Sequence, residues 1–83
     1  MAVHIHPHAQ ERMKERGATE NEVKFTVEHG ERFPAKYNRT GFRHNFTFNN
    51  IWCGRYYKNK QLEAYAVQEE TDWRVITIIT RYF

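Results

Sequence analysis

The stretch from His8 to Glu22 constrains the fold of this chain more than any other, because it specifies two helices and the break between them. Pro7 sits where a first helical residue tolerates proline, since its missing N–H would go unpaired there anyway. The helix it opens covers Pro7 to Arg16, with Ala9 and Met13 as its apolar stripe, and Gly17 supplies a left-handed residue to end it. Thr19 caps a second helix, and Glu22, three residues on, completes a capping box. Val23, Val27 and either Phe25 or Thr26 give this helix a buried side, and Gly30 ends it just after His29. Only two or three residues join the helices, so they form a helical hairpin or a sharply bent pair. His8, Arg12 and Arg16 follow one another at four-residue steps, which puts one imidazole and two guanidiniums on one helix face. Such a row suggests a phosphate-handling surface.

After Gly30 the hydrophobic period changes from near four to two. Glu31 to Lys36 reads as a short edge strand limited by Pro34. Phe42, His44, Phe46 and Phe48 alternate with Arg43, Asn45, Thr47 and Asn49, the pattern of a half-buried strand. Asn49–Asn50 or the Lys58–Gln61 region should turn the chain. Leu62 to Gln68 is a third strand, Glu69 to Asp72 a polar turn, and Trp73 to Tyr82 the last strand. The run Val75 to Thr80 is apolar on both faces, which places it centrally in a sheet. Ahead of the helices, Val3 and Ile5 alternate with His4 and His6, as in a brief strand or extended arm. The order of elements is that of an α+β domain with two N-terminal helices packed on one face of an antiparallel sheet.

Eighty-three residues make one domain, residues 1–83, with room for a single modest core. Its 16% aromatic content must supply much of that core. The net charge of +3 leans towards anionic partners, nucleic acid first, although a merely basic surface carries the same charge. Cys53 is the sole cysteine, so no internal disulfide forms, which fits a reducing compartment. No run reaches transmembrane length and the N-terminus lacks the apolar core of a signal peptide, so a cytoplasmic protein without membrane attachment is expected.

The combination His8-Ala9-x-x-Arg12-Met13-x-x-Arg16-Gly17, then Thr19-x-x-Glu22-Val23, then a hydrophobic closing strand ending Thr80-x-Tyr82, resembles a family of small bacterial and phage proteins of unknown function related to the BrnT, RelE and colicin D ribonuclease toxins. The resemblance implies the two helices followed by a four-stranded antiparallel sheet, with an active surface where the first helix meets the last strand. It also implies RNA as substrate, metal-independent cleavage without a cofactor, and an antitoxin-like protein as partner. The matching positions are His8, Arg12, Thr80 and Tyr82. Oligomeric state stays open, a dimer included.

Metal-free RNA cleavage needs a base for the 2′-hydroxyl, an acid for the leaving oxygen, and cations for the charge developing at phosphorus. Histidine suits the first two roles and arginine the third. His8 is then the base or acid, Arg12 and Arg16 are clamps, and Thr80 is a positioning hydroxyl. The plainer reading makes His8 an ordinary helix residue, pairs Arg12 and Arg16 with Glu11, Glu15 or Glu20, and bonds a buried Thr80 to backbone. His44 is either a core-edge histidine with one hydrogen bond or a partner to His8 across the helix–sheet seam. His4, His6 and His8 have the spacing of a metal motif, but Pro7 breaks the strand geometry before His8, so no metal is expected. Cys53 carries no sign of activation. Trp52, Arg55, Tyr56, Tyr57, Lys58 and Lys60 interleave aromatics with cations. They either stack bases and hold phosphates, or pack as a hairpin with lysines guarding its edge. Arg16, Arg43, Arg55, Tyr57 and Lys58 are the candidate RNA contacts. The two functions this leaves are a toxin-type endoribonuclease, active or degenerate, and a non-catalytic protein- or nucleic-acid-binding module on the same fold.

Overall fold

A computed structural model describes residues 2–83. In chain order the elements are β1 (Val3–Ile5), α1 (Pro7–Arg16), α2 (Glu20–His29), β2 (Glu31–Pro34), β3 (Thr40–Trp52), β4 (Arg55–Glu69) and β5 (Asp72–Tyr82). The strands form one sheet in the order β1-β5-β4-β3-β2, antiparallel throughout except for β1, which runs parallel to β5.

Both helices lie where their end signals place them. Gly17 follows α1 at φ 72°, and its N–H bonds the Met13 carbonyl. A Cβ there would lie 2.5 Å from the Trp52 ring, so glycine is required both by the turn and by the indole packed on it. The capping box of α2 is complete: Thr19 Oγ1 accepts from the Glu22 N–H and the Glu22 carboxylate accepts from the Thr19 N–H. Thr26, not Phe25, supplies the third buried position of α2 and donates its hydroxyl to the Glu22 carbonyl at 2.8 Å. The first helix has a cap that sequence reading misses, because the His6 imidazole accepts from the His8 N–H at 3.0 Å.

The helices cover one face of the sheet. Ala9, Met13, Val23 and Val27 meet Phe42, Leu62, Ala64, Ala66, Val75 and Ile78 there, and the Trp73 ring stands edge-on to Phe42. Registers align these residues across strands, as in Phe42–Ala64–Ile78 and His44–Leu62–Thr80.

The sheet departs from the expected four antiparallel strands. Val3–Ile5 adds a fifth because β5 would otherwise offer an open edge. Trp73 N–H bonds the Ala2 carbonyl and His6 N–H bonds the Val75 carbonyl. This second partner of β5 reaches only as far as Val75, so β5 is central at its start and an edge beyond it. Asn49–Asn50 does not reverse the chain. A bulge absorbs the register between Thr47 and Asn50, with Asn49 at φ 46°, and β3 runs on to Trp52. The reversal falls at Cys53–Gly54, both at positive φ, and Lys58–Gln61 lies inside β4. No helix among the described residues is long and apolar enough to cross a membrane.

Candidate functional site

The last turn of α1 takes up the two hydroxyls at the end of the closing strand. Thr80 Oγ1 and Tyr82 OH donate to the same acceptor, the Arg16 carbonyl, at 3.1 and 2.6 Å. Burial raises the Tyr82 phenol above its ordinary value. Helix carbonyls in the last turn have no intrahelical partner, so these hydroxyls anchor the helix end to the sheet. His8 stands at the other end of α1, about 12 Å along the axis from Arg16 at 1.5 Å per residue. Its side chain is exposed, and Arg12 pairs with Glu15 at 2.7 Å on the surface. His44 packs against α2, its ring 4.9 Å from Phe25 and 4.7 Å from Phe46. His8, Arg12, His44, Thr80 and Tyr82 therefore form no single cluster; only Thr80 and Tyr82 come together, on a backbone atom. Of the other two N-terminal histidines, His4 faces Asp72 at 3.3 Å and His6 caps α1.

The aromatic–basic segment divides in two. Trp52 stacks on Tyr82 with centroids 5.1 Å apart, and Tyr57 lies 5.7 Å from the same ring. Lys60 is buried beside them: its ammonium donates to the Gly17 carbonyl and to Glu22 Oε1, and it lies 5.6 Å from the Phe48 ring and 5.9 Å from Tyr82. Arg55, Tyr56 and Lys58 stay exposed.

The opposite, helix-free face carries the denser chemistry. Registers bring Phe33, Gly41, Tyr65 and Thr77 into one row across β2, β3, β4 and β5, with Arg43, Glu63 and Ile79 in the next. Gly41 is needed because the Phe33 ring lies over it; a Cβ would come within 2.3 Å of that ring. The Arg43 guanidinium lies over the Phe33 ring at 4.6 Å, and Tyr65 meets that ring edge-on at 6.0 Å. Glu63, with only 4% of its side chain exposed, accepts from Arg43 Nε at 2.8 Å, from Arg81 at 3.0 Å and from Tyr65 OH at 2.9 Å. Burial would raise its carboxyl, but the bonds from Arg81, Arg43 and Tyr65 outweigh burial and hold it below the ordinary carboxylate value. Burial first, and then the bond to Glu63, raise the Tyr65 phenol.

Beside this network lies a groove of about 540 Å³. Phe33, Tyr65, Thr77 and Ile79 form its floor; Pro34 at the end of β2 and Ala35, Lys36, Tyr37 and Arg39 of the β2–β3 connection form one wall. Arg16 closes the far side, reaching round the edge of β5 with NH1 on the Ile78 carbonyl at 2.6 Å. Among the described residues, three cations and three aromatic rings line the groove and no carboxylate does. Of the candidate RNA contacts, Arg16 lines it and Arg43 adjoins it through Phe33, whereas Arg55, Tyr57 and Lys58 belong to the β3–β4 hairpin. Sequence reading passed over Lys36, Tyr37 and Arg39. Their signal is the aromatic between two cations in Lys36-Tyr37-Asn38-Arg39, just after Pro34.

Fold and site together define a small α+β domain that screens one sheet face with helices and leaves the other open, aromatic and cationic. Over residues 5–80 the chain matches the DUF4258 family, a domain of unknown function, and it belongs to that family. No curated protein and no solved structure gives a significant match.

Proposed function

We propose that this protein binds single-stranded RNA on the helix-free face of its sheet and does not cleave it. The observation that carries this reading is the groove lined by Arg16, Lys36 and Arg39 with Phe33, Tyr37 and Tyr65, and by no carboxylate among the described residues. Clustered cations attract a polyanion by counterion release, and aromatic rings accept base faces regardless of sequence. Arg43 and Arg81, held by buried Glu63, extend the cationic surface beyond the groove. The net charge of +3 favours a polyanion, and the sequence resemblance to ribonuclease toxins favours RNA among them. Binding is favoured over cleavage because His8 and Thr80, the base and hydroxyl of the enzyme reading, sit at opposite ends of α1.

The test is fluorescence anisotropy with a labelled single-stranded RNA across a salt series, with the RNA run on a gel afterwards. Lys36→Ala/Arg39→Ala should weaken binding more than tenfold and flatten the slope of log K against log salt by about 1.4, at roughly 0.7 per lost phosphate contact. The RNA should remain intact. Unchanged affinity in the double variant overturns the site. RNA decay abolished by His8→Ala restores the ribonuclease reading.

A further inference from the structure

The β2–β3 connection holds a conformation that its residues do not favour. Tyr37 and Asn38 have φ of 61° and 57° and are the central pair of a tight turn. Arg39 N–H closes it onto the Lys36 carbonyl at 3.2 Å, and Ala35 N–H bonds the Arg39 carbonyl at 3.0 Å. Two successive positive φ values make a turn for glycine and asparagine. Asn38 suits it; Tyr37 does not, because a Cβ in the left-handed region crowds the backbone.

That strain brings the fold no packing in return. Tyr37 is 83% exposed, and its ring meets the Arg39 guanidinium at 5.9 Å. The other two rings of the groove are committed: Phe33 packs on Gly41 and under the Arg43 guanidinium, and the Tyr65 hydroxyl is tied to Glu63. Tyr37 alone among them offers a free face, on the rim, between Lys36 and Arg39 and across the groove from Arg16. Strained residues persist where function requires them, and a strained exposed aromatic between cations has the chemistry of a stacking platform.

We infer that Tyr37 stacks on one unpaired base of a bound strand while Lys36, Arg39 and Arg16 take the flanking phosphates. This rests on the RNA reading and deepens it. The site then discriminates by base accessibility: a single strand presents base faces, whereas a duplex hides them in its own stack. A surface that used its cations alone would bind both, and would bind a backbone stripped of bases.

The experiment uses three fluorescein-labelled probes: octa-adenylate, the same backbone with abasic sites, and octa-adenylate paired with its complement. The protein should prefer octa-adenylate to either of the others by about tenfold, within the range for one base–aromatic stack. Tyr37→Ala should lose this preference and bind all three as weakly as the parent binds the abasic probe. Tyr37→Phe should keep it. Tyr37→Asn should lose the preference yet melt a few degrees higher, roughly 4 °C, because the turn strain is relieved. A lower melting point for Tyr37→Asn removes the strain argument and overturns the inference. So does equal binding of octa-adenylate and the abasic probe, or an unchanged preference in Tyr37→Ala. In those cases binding that still depends on Lys36 and Arg39 leaves the RNA reading standing. Failure of every probe to bind overturns both.

Discussion

Replacing Lys60 by methionine tests how the helix pair is fastened to the sheet. The Lys60 side chain is 3% exposed and its ammonium bonds the Gly17 carbonyl and the Glu22 carboxylate, the latter at 2.7 Å. Methionine keeps the length and volume of the stem, so little packing is lost and the variant isolates the charge. Removing one partner of a buried ion pair costs about 3–5 kcal/mol, because the other charge stays behind uncompensated. Here the lower end applies. Glu22 is 22% exposed and keeps the Thr19 N–H at 2.9 Å, so water and the capping box still solvate its carboxylate. A loss of about 3 kcal/mol is expected, a large fraction of the 4–12 kcal/mol or so available to a domain of this size. Urea unfolding reads it directly: with a slope near 1 kcal/mol/M, the midpoint should fall by roughly 3 M. Adding Glu22→Gln to Lys60→Met should recover part of the loss, since neither charge is then stranded. RNA affinity should not change, because Lys60 lies under the helices and the groove is on the other face. A Lys60→Met protein within about 0.5 kcal/mol of the parent would refute the reasoning. It would return Lys60 to the aromatic–basic patch.

Three further outcomes follow from the same geometry. Because the Glu63 carboxyl is held below its ordinary value of 4.5, the unfolded chain takes up its proton first; the stability this group contributes is complete above that pH and is lost as pH falls towards the depressed native value. Urea midpoints of the parent should therefore fall more steeply below pH 4.5 than those of Glu63→Gln, and parallel curves would show that Glu63 is not the linked group. The Trp73 Nε1 is buried with no hydrogen-bond partner among the described residues, so Trp73→Phe, which removes that donor while keeping a ring against Phe42, should cost at most about 1 kcal/mol by urea titration, against about 3–5 for Trp73→Ala. His6→Asp should stabilise α1 by about 0.5–1 kcal/mol in thermal melts, because a carboxylate serves the same cap as the imidazole and suits the positive helix end; an unchanged or lower melting point would show that the cap contributes nothing.

The helix pair was legible because its signals are local. Pro7, Gly17 and the Thr19–Glu22 box each act within one turn, and so each is spelled out in adjacent residues. The sheet was legible only where it alternates. Val3 and Ile5 alternate with His4 and His6, but so short a run reads equally as a strand or an extended arm, and what makes it a strand is the open edge of β5, some 70 residues away. Asn49 does adopt the left-handed conformation that asparagine tolerates, but a bulge and a turn use it alike. Only the pairing of β3 with β4 decides between them.

The candidate site shows the same division more sharply. The four-residue spacing of His8, Arg12 and Arg16 says how they sit on α1 and nothing about where α1 ends against β5. That end decides the outcome: the Arg16 carbonyl absorbs Thr80 and Tyr82, and the Arg16 side chain leaves its helix face and turns round the sheet edge. One residue thereby fastens the helical layer with its backbone and equips the open face with its guanidinium. The aromatic row it serves is assembled from β2, β4 and a turn, each contributing one ring, and Gly41 leaves the space for the first of them. No window of sequence holds such a row. The register alone brings it together, and the strand alternation that reads as a buried face for the helices leaves the other face free to carry function.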